Sequence, residues 1–185
     1  MTLVDQPRID KLIEFLHRTA IMDGINAEVG VYKGGTAKII ASSCPNKQLL
    51  LFDTFKGMPK TTNHDLHKEG EFSDTSLSEV KEYLKEFSNI SYYPGLFPKT
   101  AESLKNVMFS FVHLDCDIYE SVKEGLNFFV PKMADSGIIV LDDYFEPNCP
   151  GAKIATDEFL STHEYIKIFS ICQSQVALKI TNIWK

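Results

Sequence analysis

Carboxylates stand at the ends of three apolar runs in this chain. Asp53 closes QLLLFD, Asp115 closes SFVHLD, and Asp142 with Asp143 closes GIIVLDD. A charged group at the end of a buried strand is costly without a partner. The runs ending at Asp115 and at Asp142–Asp143 read as neighbouring strands, about 5 Å apart. Carboxylates crowded that closely repel one another unless protonated or bridged by a cation. Hard divalent cations prefer oxygen ligands, and Mg2+ keeps open positions for water or substrate. Asp115, Asp142 and Asp143 are therefore expected to hold Mg2+. Capping a helix needs one acid, not a pair. Asp117 is different, because Asp117-Ile-Tyr-Glu120 has capping-box spacing and is expected to open a helix. The histidines and cysteines show no cluster with zinc-site spacing. His64 and His67 lie in a polar segment, where a histidine can serve as a general base near neutral pH. His113 sits inside an apolar run and reads as a core histidine with a satisfied ring, and Cys116 as pocket wall.

A second feature is Ile25–Thr36, INAEVGVYKGGT, where an apolar strand passes through a glycine-rich turn into a helix-like run. Gly30, Gly34 and Gly35 would let a ligand lie directly on the backbone. Glu28, near the end of that strand, needs a partner, which a hydroxyl-rich or cationic ligand would supply. The pattern is not G-x-x-x-x-G-K-[ST], and Tyr32 stands where G-x-G-x-x-G needs its second glycine. Phosphate loops and dinucleotides are thus disfavoured, and a nucleoside without phosphates fits better. Asp53 follows Gly30 by about twenty positions, where an acid commonly accepts hydrogen bonds from ribose hydroxyls.

The elements that must position these groups alternate. Pro7–Ala20 carries Ile9, Leu12, Ile13 and Leu16 at helical spacing and is expected to pack on a sheet edge. Strands follow at 25–29, Gln48–Asp53, Ile90–Tyr93, Ser110–Asp115 and Gly137–Asp143, with helices between them, including a short one at Pro98–Lys105 and a longer one at Ala152–His163. Ser76-Leu-Ser-Glu79 is a capping box that opens a helix. The Thr54–Thr75 stretch is too long and polar for a plain connection and is expected to act as a lid. At the end, IKIFSIC and VALKIT are separated by only three residues, so they must pair antiparallel. These features predict an α/β fold, with parallel strands and an antiparallel hairpin at the end. Residues 1–185 read as one domain, with 1–24 as an N-terminal helical segment and 54–75 as the lid loop.

The net charge of −6 argues against nucleic-acid and anionic-membrane partners. There is no run of membrane-span length and no signal-peptide pattern, so a cytoplasmic location with free thiols is expected.

In order along the chain, EVGVYKGGT, LFDTFKGMP, HLDCDIYES and IIVLDDY resemble the macrocin O-methyltransferase (TylF/MycF) family. The resemblance covers roughly Gly24 to Phe159. It implies a Rossmann-like class I methyltransferase fold, with a seven-stranded sheet ending in the hairpin. The implied activity is metal-dependent methyl transfer from S-adenosylmethionine to a hydroxyl of a sugar or sugar-containing natural product. Glu28, Gly30, Tyr32, Gly34, Gly35 and Thr36 would line the cofactor, and Asp53 with Thr54 would hold its ribose end. Asp115, Asp142 and Asp143 would hold Mg2+, with Asp115 also at the reacting centre. The resemblance suggests a loop histidine as base, and His67 is better placed than His64. Related catechol-type enzymes carry a lysine three positions after the first metal acid; Ile118 stands there. The implied acceptor is a small molecule with neighbouring hydroxyls. A catechol-like phenol as acceptor, or a nucleotide-binding protein without chemistry, is the alternative. The sequence leaves homo-oligomerisation open.

Overall fold

The computed structural model describes residues 2–181. Seven strands form one sheet in the order β3-β2-β1-β4-β5-β7-β6. They are β1 (Ile25–Val29), β2 (Leu49–Asp53), β3 (Ile90–Pro94), β4 (Phe109–Leu114), β5 (Met133–Leu141), β6 (Ile166–Cys172) and β7 (Gln175–Ile180). The first five are parallel; β7 runs antiparallel to both β5 and β6. The expected class I methyltransferase-like sheet with its closing hairpin is what the chain forms. The five helices are α1 (Gln6–Thr19), α2 (Gly35–Ser43), α3 (Leu77–Tyr83), α4 (Tyr119–Phe129) and α5 (Pro150–Ser161).

Strand alternation sends neighbouring residues to opposite faces, and each face has its own core. Leu50, Phe52, Val112, Leu114, Ile139 and Leu141 pack against Leu126 and Phe129 of α4 and Ala155 and Phe159 of α5. Leu49, Leu51, Phe111, Ile138 and Val140 pack against Leu12 and Leu16 of α1 and Ile40 of α2. Sheet strands covered on both faces must be apolar throughout, which is why LLLF and IIVL show no polar alternation.

Some elements differ from expectation. The amphipathic helix α1 lies across a sheet face, touching α2, β4, β5 and β6, rather than along an edge. The stretch 98–105 forms only a 3-10 turn at Lys99–Ala101. Strand β5 starts at Met133, ahead of a bulge where Ser136 takes a φ of 63°. The Ser76 cap is present: its hydroxyl accepts from the Glu79 amide and donates to the Glu79 carboxylate.

The glycine turn is shaped by protein contacts. Gly30 has a φ of +86°, and a Cβ there would sit 1.7 Å from the Asp115 carbonyl oxygen. Its role is to let the end of β4 close on the end of β1, where the Asp115 amide donates to the Val29 carbonyl. Gly34, with a φ of +79°, faces Val80, Leu84 and Tyr83 around α3 rather than a ligand. At Gly35 a Cβ would meet the Thr2 backbone at 2.3 Å, so the chain's own N-terminal segment rests there.

These contacts separate two costs. Gly70 has the same φ of +86° as Gly30, but nothing lies within 4 Å of its added Cβ. Gly70→Ala should therefore lose about 1–2 kcal/mol, the penalty of the left-handed backbone alone. Gly30→Ala, which adds a backbone clash, should lose more than about 3 kcal/mol. Urea unfolding of the two variants measures both; equal losses would contradict the close approach.

Candidate active site

The carboxyl ends of β1, β2, β4 and β5 open onto a cavity of about 320 Å³. Gly30, Tyr32, Gly35, Thr36, Asp53 and Thr54 lie on its wall. Asp115, Asp142, Asp143 and His67 also line it, together with Arg8, Asp117 and Cys149. Open sheets of this kind place ligands at this edge, where the strand order reverses between β1 and β4.

Asp53 ties the two first turns together. One of its oxygens accepts from the Val31 and Tyr32 amides at 2.7 and 2.9 Å, and the other from the Phe55 amide at 2.6 Å. Thr54 spends its hydroxyl proton on the Gly57 carbonyl. Both residues thus shape the wall as well as facing the cavity.

Glu28 is not on that wall. It is fully buried in the sheet, opposite His113 of β4, and its carboxylate meets His113 Nδ1 at 2.9 Å. The partner that the sequence left to a ligand is this histidine. His113 Nε2 lies 3.6 Å from Asp142, too long for a hydrogen bond but close enough for an ion pair. Burial works against charging the imidazole, but Asp142 and Glu28 outweigh it and raise its pKa well above the usual histidine range. His113 is a core histidine whose ring lies between two buried carboxylates.

Asp142 has further partners. Arg8 of α1 pairs with one oxygen, and Gln175 of β7 donates to the other. Arg8 also donates to the Ser174 hydroxyl at 3.1 Å. Burial would raise the Asp142 pKa, yet His113, Gln175 and Arg8 together lower it. Asp143 is in the opposite situation. Its pKa is raised well above the carboxylate range by burial and by the charges of Asp117, Asp115 and Asp142. Asp115 is raised as well, by burial first and then by Asp142.

The expected trio falls into two overlapping groups. Asp142 is paired with Arg8 of α1 and lies with His113 and Asp115 within 4.8 Å, while oxygens of Asp115, Asp117 and Asp143 also lie within 4.8 Å of one another. Asp117 does not cap α4. The N-cap is Ile118, without a side-chain cap, and the Tyr119 amide donates instead to Asp65 of the loop at 2.7 Å. Asp117 adopts a φ of 59°, which turns its carboxylate toward Cys149 at 3.5 Å. Burial raises its pKa, partly offset by His67 and Cys149. Three mutually repelling oxygen donors, Asp143 buried and the other two half-buried, suit a hard divalent cation such as Mg2+.

The loop 54–75 lies beside these acids. His67 Nδ1 meets Glu71 at 2.5 Å, and its Nε2 faces Cys149 Sγ at 3.6 Å. His64 instead packs on the Tyr119 ring, at 4.6 Å between centroids, and is not on the cavity wall. At its far end the loop is tied to the glycine turn, by Tyr32 to Asp74 and by Thr75 to the Tyr32 carbonyl. Cys116 is on the wall as expected, and all four cysteines are free.

The sequence model of the macrocin-O-methyltransferase (TylF) family matches residues 1–176. The chain belongs to the macrocin-O-methyltransferase family. It is 25% identical to 8-demethyl-8-(2,3-dimethoxy-alpha-L-rhamnosyl)-tetracenomycin-C 4'-O-methyltransferase of Streptomyces olivaceus, covering 82% of this chain and 65% of that protein. It is 24% identical to mycinamicin III 3''-O-methyltransferase of Micromonospora griseorubida, covering 88% and 71%. The chain thus spans about two thirds of the length of these relatives. Its fold matches the solved O-methyltransferase NovP with a TM-score of 0.85 at 22% identity, over 98% of this chain and 82% of that one.

Within this family member, Arg8, Asp117 and Cys149 are the wall residues that sequence reasoning passed over. For Asp117 a signal existed, the D-x-D spacing with Asp115, but the acid three residues later imitated a cap. Arg8 and Cys149 carry no local signal, since only the fold brings them to the acids.

Two aspartates adjacent in sequence should respond oppositely to neutralisation. Asp143, with its raised pKa, binds a proton more tightly folded than unfolded, so it costs stability as pH rises above the ordinary carboxylate value of about 3.9. Asp142, with its lowered pKa, contributes stability above that value and loses it as pH falls. In chelator at pH 8, Asp143→Asn should raise the melting temperature, with the gain shrinking toward pH 4. Asp142→Asn should lower it, with a loss of roughly 3 kcal/mol in stability, because Arg8 and His113 lose their shared anion. Thermal denaturation across pH distinguishes them; destabilisation by both would contradict the division.

Proposed function

We propose that the chain is an S-adenosylmethionine-dependent O-methyltransferase that methylates a sugar hydroxyl on a natural product, assisted by a divalent cation. The observation that carries this reading is the pairing within one cavity of a glycine turn closed by Asp53 with an acid cluster short of positive charge. Family membership and the names of the two relatives, one a 4'-O-methyltransferase of a rhamnosyl-tetracenomycin and the other a 3''-O-methyltransferase of mycinamicin III, support the reaction class and the acceptor.

On this reading the wall from Gly30 to Thr36, with Asp53 and Thr54, receives the donor, which supplies the methyl group. Asp115, Asp117 and Asp143 would hold Mg2+, which when bound makes a nearby hydroxyl more acidic and favours an acceptor with two neighbouring hydroxyls. His67 takes the proton from the acceptor oxygen. Glu71 fixes its tautomer: a carboxylate only accepts, so Nδ1 carries the hydrogen and Nε2 presents its lone pair. The loop 54–75 serves as a lid that excludes water. Asp117 is the second candidate for the base, since its raised pKa and left-handed backbone set it apart from an ordinary surface acid. A catechol acceptor is disfavoured because Ile118, at the position of the catechol-type lysine, is wholly buried and away from the wall.

Turnover of a rhamnosylated aglycone with vicinal hydroxyls should exceed that of a catechol, should stop in chelator and should return with Mg2+. His67→Ala should slow turnover by about 10²–10⁴ while donor affinity by calorimetry stays within error. His64→Ala should have little effect. Wild-type turnover in His67→Ala together with a large loss in Asp117→Asn would transfer the role of base to Asp117; full activity in chelator would remove the cation from the mechanism.

A further inference from the structure

The wall holds a second group of donors whose chemistry differs from that of the acid cluster. His67 Nε2, Cys149 Sγ and an oxygen of Asp117 lie within 4.8 Å of one another. They come from three separate segments: the loop 54–75, the start of α5 and the approach to α4. Sequence spacing gave no hint of a zinc site, because the nearest two of these residues are more than thirty positions apart.

Both sulfur distances fit a tetrahedral centre. Cys149 Sγ is 3.6 Å from His67 Nε2 and 3.5 Å from Asp117 Oδ1. With Zn–S near 2.3 Å and Zn–N or Zn–O near 2.0 Å, tetrahedral angles give edges from sulfur of about 3.5 Å. The second layer is also in place. Glu71 binds the other ring nitrogen of His67, as carboxylates do for histidines that ligate metals, and so leaves Nε2 free. Cys149 is almost fully buried, and the three donors share the cavity wall, so a fourth position faces the cavity. A nitrogen, a sulfur and an oxygen suit a borderline-soft ion, whereas the neighbouring Asp115 and Asp143 offer oxygen alone.

We propose that His67, Cys149 and Asp117 form a Zn2+ site that fastens the 54–75 loop to the start of α5. Binding displaces the Cys149 proton to solvent, and the thiolate, the imidazole and the carboxylate each give one electron pair to the ion. The ion takes the Nε2 lone pair that methyl transfer would use, so Zn2+ inhibits the enzyme. That last consequence rests on the reading of His67 as base; the site itself does not.

Co2+ substitutes for Zn2+ and reports sulfur ligation by a thiolate-to-cobalt charge-transfer band. The wild-type chain should take up Co2+ with this band, and Zn2+ should displace it. The band should vanish in Cys149→Ser and persist in Cys116→Ser, which tests the other cysteine near the acids. Glu71→Gln should weaken Zn2+ binding by about 10–100-fold, and His67→Ala by at least as much. Absence of the band in the wild type, its survival in Cys149→Ser, or unchanged affinity in both loop variants would overturn the proposal. Should Cys149→Ser fail to fold, the band and the two loop variants decide alone. None of these readouts depends on methyl transfer, so a failed activity assay and a failed metal site remain distinguishable.

Discussion

The carboxyl edge of the sheet carries more buried negative charge than its own cations can neutralise. Glu28, Asp115, Asp117, Asp142 and Asp143 gather there, and among the described residues the basic groups that reach them are few: His113 and Arg8, with His67 beside Asp117. Burying a charge is tolerated when it is paired and hydrogen-bonded, and strongly opposed otherwise. Much of the architecture follows from this. Helix α1 crosses the sheet face and carries Arg8 to Asp142, and the hairpin brings Gln175 to the same carboxylate. What remains after those pairings is the unbalanced group of Asp115, Asp117 and Asp143, which a divalent cation would complete.

Strand alternation decides which acid belongs to which group. Val140 faces α1 and α2, and Asp142 continues that parity; Leu141 faces α4 and α5, and Asp143 continues the other. Two neighbours in sequence thereby enter different electrostatic settings, one lowered in pKa and one raised. The same parity places Glu28 beside His113 on the α1 face, in register across β1 and β4. A single slip of register would exchange the two groups and leave both unsatisfied.

The fold was legible in the sequence because its signals are local. Three residues between IKIFSIC and VALKIT permit only a hairpin, and LLLF or IIVL can only be strands covered on both faces. The acids were legible as a group, since carboxylates ending apolar runs need a partner. Their division was not, because it depends on Arg8, which lies far from Asp142 in sequence, and on which face each strand end presents. Asp117 was read as a cap because the local spacing was correct; the fold gives that work to Asp65 and leaves Asp117 to the cavity. The glycines were read as room for a ligand; Gly30 and Gly34 also make room for β4 and the α3 region, which only the fold reveals.

Ser174 and Gln175 are synthesised last among the residues that hold the Asp142 arrangement together. Asp142 emerges well before them, and Arg8 emerges first of all. While the chain is still growing, helix α1 and the parallel strands can assemble, but the carboxylate between them lacks its final hydrogen bonds. Domains commonly consolidate as they leave the ribosome. Here the tight β7 turn acts as a closing clasp, and a nascent chain halted before it would carry a poorly solvated acid at its centre. Such a chain would be loosely packed, and therefore visible to proteases and chaperones, until β7 has been made.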